Sequence, residues 1–147
     1  MTSDERLALD ILIESSRLEA KEDFDRYLEA TRKLPISDDP VVLDVMLDCL
    51  NAIDAGEIQY ELVEAIERFP DEVYVRGVLM HARRLVDKAG VWGWMIIQTM
   101  LNTSSCLNIA IGVYTQLSNR QKTEFKTLLD ELCRSDRRYD EQRQMFI

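Results

Sequence analysis

Glycine and proline are scarce in this sequence, five and three among 147 residues. Sheet-rich folds spend both on turns, so their scarcity points to long helices joined by short loops. Cysteine is limited to Cys49, Cys106 and Cys133, an odd number without C-x-x-C spacing. Each falls among apolar residues at helical spacing, where a reduced thiol packs as a small hydrophobe. Histidine occurs once, at His81. No G-x-G-x-x-G, Walker loop, H-E-x-x-H or G-x-S-x-G occurs either, so nothing in the sequence commits to catalysis. No cofactor is implied.

Charge is missing from residues 89–119. The apolar stretch Val91–Leu101 already contains Gln98 and Thr99, and it meets Asn102, Thr103, Ser104 and Ser105. It falls short of the ~20 apolar residues that span a bilayer, so a buried core hairpin is expected. Residues 2–6 (TSDER) carry three charges and lack the apolar core of a signal peptide. A cytoplasmic location is the expectation.

What is present is a globular balance, 46% hydrophobic and 31% charged, in a length that suits one domain. Charge is distributed unevenly. Residues 1–80 carry twenty acids and eight bases, whereas residues 81–147 carry seven acids and ten bases. Within residues 36–72 eleven acids face Arg68 alone. A formal charge of −9 argues against a phosphate-binding footprint, and hence against direct nucleic-acid binding.

Helical periodicity runs through most of the chain. The expected helices are Asp4–Leu18 with Ser3 as cap, Lys21–Leu34 ending before Pro35, and Asp38-capped residues 39–54. A fourth follows the Ala55–Gly56 break and stops at Pro70, and a fifth is capped by Asp71. Its Val75, Val78, Leu79, Ala82, Leu85, Val86 and Ala89 form the cleanest stripe. Helices near 91–102 and 105–117 follow, then one opened by a Ser118/Gln121 capping box, and a short ninth from Asp136. The first four helix starts recur every 17–19 residues. Short-looped helices pair antiparallel, so the expected fold is a single all-α domain over residues 1–147. Its architecture would be stacked helical hairpins, an α-solenoid of the HEAT or armadillo kind.

The candidate site is acidic. Asp44 and Asp48 stand at i, i+4 on the third helix, away from its apolar face. Glu57, Glu61 and Glu64 lie opposite Leu62 and Ile66 on the fourth, with Tyr60 beside them. Glu67, Asp71 and Glu72 flank that face. Like charges at this spacing cost an isolated helix about 0.2–0.5 kcal/mol per pair. No base within the segment relieves them. A solvated face serving solubility would account for any one of these acids. The whole cluster, with a tyrosine among it, reads as a surface that steers and holds a basic partner. Trp92 and Trp94 are alternative anchors, although their uncharged surroundings favour core packing. Glu61, Glu64 and Glu67 also suggest a di-metal carboxylate site, but that needs Glu-x-x-His pairs from facing helices.

Residues 60–75 (YELVEAIERFPDEVYV), followed by an apolar helix ending MLNT at 100–103, resemble the all-helical "immunity protein 30" family. That family belongs to bacterial polymorphic-toxin and contact-dependent growth inhibition systems. The resemblance spans roughly residues 38–135 and is carried by Ile66, Phe69, Asp71, Tyr74, Val75, Leu101 and Asn102, which look like packing and capping positions. The family pattern usually has a basic residue before the Leu–Asn pair and a charged turn after it, where Gln98, Thr99, Ser104 and Ser105 stand here. The resemblance implies a cytoplasmic inhibitor that binds a cognate C-terminal toxin domain, often a nuclease, in a 1:1 complex and without enzymatic activity. A helical-repeat adaptor for host proteins, and a carboxylate-metal enzyme, are the other readings.

Overall fold

In the computed structural model, which describes residues 1–53 and 57–146, hydrogen-bonding side chains fix the starts of four of the α-helices. Thr2 opens α1 (Ser3–Ser15) with a reciprocal box: its hydroxyl accepts from the Glu5 N–H at 3.1 Å, and the Glu5 carboxylate accepts from the Thr2 N–H at 2.7 Å. The cap thus lies one residue before the expected Ser3. The helix ends at Ser15, short of the expected Leu18, and Leu18 turns the chain with a positive φ of 53°. In α2 (Lys21–Arg32) the Asp23 carboxylate takes the N–H groups of Glu19 and Ala20. Asp39, rather than Asp38, caps α3 (Pro40–Asp48) by accepting from the Val41 N–H at 2.9 Å.

The third helix is shorter than expected, and a single side chain explains it. Gln59 is fully buried; its oxygen accepts from the Asn51 N–H at 2.7 Å, and its amide donates to the carbonyls of Asn51 and Ile53. These bonds satisfy backbone groups that a longer helix would have paired internally. Ile53, which a helix continuing to residue 54 would include, lies beyond the helix and is 40% exposed. The Ala55–Gly56 break lies outside the described residues.

Then come α4 (Ile58–Glu67), α5 (Asp71–Ala89), α6 (Val91–Asn102) and α7 (Ser104–Gln116). Pro70 occupies the cap position of α5, so Asp71 is its first helical residue rather than its cap. The box between Ser118 and Gln121 opens α8 (Asn119–Ser135) as expected. A 3-10 turn (Arg137–Tyr139) and α9 (Asp140–Gln144) finish the described chain, which contains no strand.

The fold is all-α. Helices two apart lie side by side, α1 with α3, α3 with α5 and α5 with α7 in one layer, α2 with α4 and α4 with α6 in the other. Helix α5 packs on α3, α6, α7 and α8, so the cleanest apolar stripe belongs to the most embedded helix. Helix lengths run from 5 to 19 residues, and no common repeat unit stands out. The uncharged segment departs from an antiparallel hairpin, because α6 and α7 meet at 99°. Among the described residues no single helix is long and apolar enough to cross a membrane. Ile96, Ile97, Met100 and Leu101 of α6 instead join one contiguous core that runs from Leu9 to Phe146.

Candidate functional site

The α3 carboxylates face a basic ridge. Helix α5 lies alongside α3, and the Asp44 carboxylate sits 3.3 Å from His81 Nε2. One turn on, Asp48 pairs with Arg84 at 2.9 Å, while the Lys88 ammonium donates to the Asp48 main-chain carbonyl. The bases that relieve Asp44 and Asp48 thus come from residues 81–88, outside the acidic segment.

On α4 the neighbours Tyr60 and Glu61 each stand three or four residues from Glu64, which stands three from Glu67, and Glu57 lies three and four residues before Tyr60 and Glu61, so they share one broad face. Their neighbours differ. Glu61 is held by Arg32 of α2 in a two-pronged pair, both N···O distances 2.9 Å, and these bonds keep its carboxyl below the usual carboxylate range. Glu57 and Glu64 meet no basic side chain at ion-pair distance among the described residues. Tyr60 stands between them, 47% exposed. Desolvation beside α6 lifts the Glu67 carboxyl, the charge of Glu64 adds to the lift, and a hydrogen bond with Thr99 opposes it.

Asp71 and Glu72 begin α5, where negative charge complements the helix dipole. Asp71 accepts from the Ser105 hydroxyl at 2.8 Å, tying the start of α5 to α7, and Glu72 lies 3.7 Å from Arg76 one turn on. Both already have local partners. No hydrogen bond or ion pair among the described residues joins the α3 carboxylates to those of α4. The nine expected residues therefore divide into an α3 pair bound to α5, an α4 stripe, and two acids anchored at the start of α5.

Trp92 and Trp94 are half-buried and pack against the core, the arrangement their surroundings favoured. The positions that carry the resemblance are structural: Ile66, Phe69, Tyr74, Val75 and Leu101 are buried, and the Asn102 amide donates to the Tyr139 hydroxyl at 2.9 Å. Among the described residues no group of three His, Cys, Asp or Glu side chains is placed to hold a metal ion. Sequence reasoning missed Arg32, His81, Arg84 and Lys88 as partners of the acids. Each lies 29 to 40 residues from the acidic residue it meets, beyond any local spacing rule.

Compared with protein-family models, with curated proteins and with solved structures, the chain matches none.

Proposed function

We propose that the chain is a stoichiometric inhibitor that binds a basic toxin domain, and that the α4 stripe is its docking face. The observation that carries this reading is Glu64, exposed beside Tyr60 and without a basic neighbour at ion-pair distance among the described residues. Acids already engaged within the fold, such as Asp48 and Glu61, need a partner less. An acid left bare beside a second carboxylate gains most when a basic groove covers it. Toxic nucleases carry such grooves for phosphate, which makes one a fitting target. The resemblance of residues 60–75 to toxin-immunity proteins supports the same reading, as does the half-exposed Tyr60, a residue type enriched at binding hot spots.

The revised contact set is Glu57, Tyr60 and Glu64 at the centre, Glu61 and Glu67 beside them, and Asp44, Asp48, Asp71 and Glu72 outside it. A tagged pull-down from the native host, at low and moderate salt, tests the reading. One basic protein retained at 1:1, toxic when expressed alone and tolerated when co-expressed with this chain, is the expected result. Several host proteins, none of them toxic, would instead support an adaptor.

A further inference from the structure

Three arginines gather near the C-terminal end of the sequence, away from the acidic stripe. A cleft of about 660 Å³ opens between the end of α8 and the segment formed by the 3-10 turn and α9, lined by Arg134, Arg137 and Arg143 together with Asp130 and Asp140. A second cleft of about 450 Å³ shares Asp130 and Arg143 with it and adds Lys126.

The pairing within this cleft is incomplete. Arg143 is bound by Asp130 at 2.8 Å, which fixes it in the shared wall. Among the described residues Arg134 meets no carboxylate at ion-pair distance, and its Nε donates to the main-chain carbonyl of Asp130 at 3.3 Å. Arg137 meets no carboxylate at ion-pair distance among the described residues. Asp140 and Cys133 also line the cleft, and Asp140 meets no basic side chain at ion-pair distance among the described residues. Among the described residues two guanidinium groups therefore have donors to spare, and guanidinium geometry matches phosphate oxygens two at a time.

We propose that this cleft binds a small ligand carrying two phosphate groups, one on each of Arg134 and Arg137. Size and charge select that class. The volume lies within the range of small-molecule sites. The nearby aromatic rings, Tyr139 and Phe146, are only 5% and 4% exposed, so none is presented for a nucleobase to stack on. A long polyanion would also run along a protein of net charge −9. A compact one responds mainly to charges within a Debye length, about 8 Å at physiological salt.

Isothermal titration of the full chain with pyrophosphate tests the assignment. Saturable 1:1 binding is expected, weakened about tenfold or more by Arg137→Ala, as befits the loss of charge-assisted hydrogen bonds. Arg138→Ala, whose side chain is bound to Asp136 outside the cleft, serves as control and should bind as the parent does. If Arg137→Ala loses helicity, Arg134→Ala replaces it in the comparison. No saturable binding by the parent chain, or undiminished binding by a folded arginine variant, would overturn the proposal.

Discussion

Arg32 and Glu61, 29 residues apart in the chain, close a two-pronged ion pair between α2 and α4. The pair divides the α4 stripe into an acid engaged within the fold and acids that face outward, and the two kinds respond differently to mutation. Glu61→Lys would set two cations against each other and should lower the melting temperature as well as any affinity. Glu64→Lys breaks no ion pair among the described residues and gains only a like charge one turn away at Arg68, worth about 0.2–0.5 kcal/mol, so its melting temperature should stay close to the parent's. Thermal melts of both variants check this difference before any binding result is interpreted.

The early end of α3 depends on Gln59. Replacing it by leucine keeps the volume but leaves the Asn51 N–H and the carbonyls of Asn51 and Ile53 without their partner. A buried polar group left unpaired costs about 1–3 kcal/mol. Urea denaturation of Gln59→Leu should therefore show a loss of at least about 2 kcal/mol, with more than one group affected. A change within measurement error would mean that water takes over these bonds.

Two helical glycines give opposite expectations. A Cβ on Gly93 would lie 2.7 Å from the Leu85 carbonyl oxygen, where α6 passes close to α5, so backbone would have to move. Gly93→Ala should destabilise by about 1–3 kcal/mol. A Cβ on Gly112 of α7 meets nothing within 4 Å. There alanine should stabilise by about 0.5–1 kcal/mol, through its better helix propensity. The same denaturation series measures both.

High pH should unfold the chain through buried acids. Burial pushes the Tyr27 and Tyr74 hydroxyls upward, and these donate to the carbonyls of Cys49 and Ile96. Burial also pushes the Cys49 thiol up to about 12. A folded-state value raised above the unfolded one gives stability that is complete below the unfolded value and declines as pH rises towards the folded one. Loss should therefore begin above about pH 8.5 for the thiol and about pH 10 for the tyrosines. Stability measured against pH should fall less steeply above about pH 10 in Tyr27→Phe, whose starting stability is itself lower by about 1–2 kcal/mol.

The all-helical fold was legible because apolar spacing and punctuation are local: the α5 stripe, the stops at Pro35 and Pro70, and the Ser118/Gln121 box all lie within a turn or two. The end of α3 was not legible, since it depends on Gln59, eight residues beyond the Asn51 whose N–H it receives. The 99° turn between α6 and α7 had no mark in a segment that is uncharged throughout. The acidic stripe on α4 could be drawn from spacing alone. Which of the acids on α3 and α4 were already paired could not, because Arg32, His81 and Arg84 meet them only through helix packing.

The central claim is that the bare acids of α4 hold a basic toxin domain. Its most direct test is protection of growing cells against the toxin recovered with the parent chain, using Tyr60→Ala combined with Glu64→Lys. The double variant should keep the parent's helicity and fail to protect, while Asp44→Asn, on the α5-facing side, should protect as the parent does. Full protection by the folded double variant would contradict the assignment of the docking face to α4.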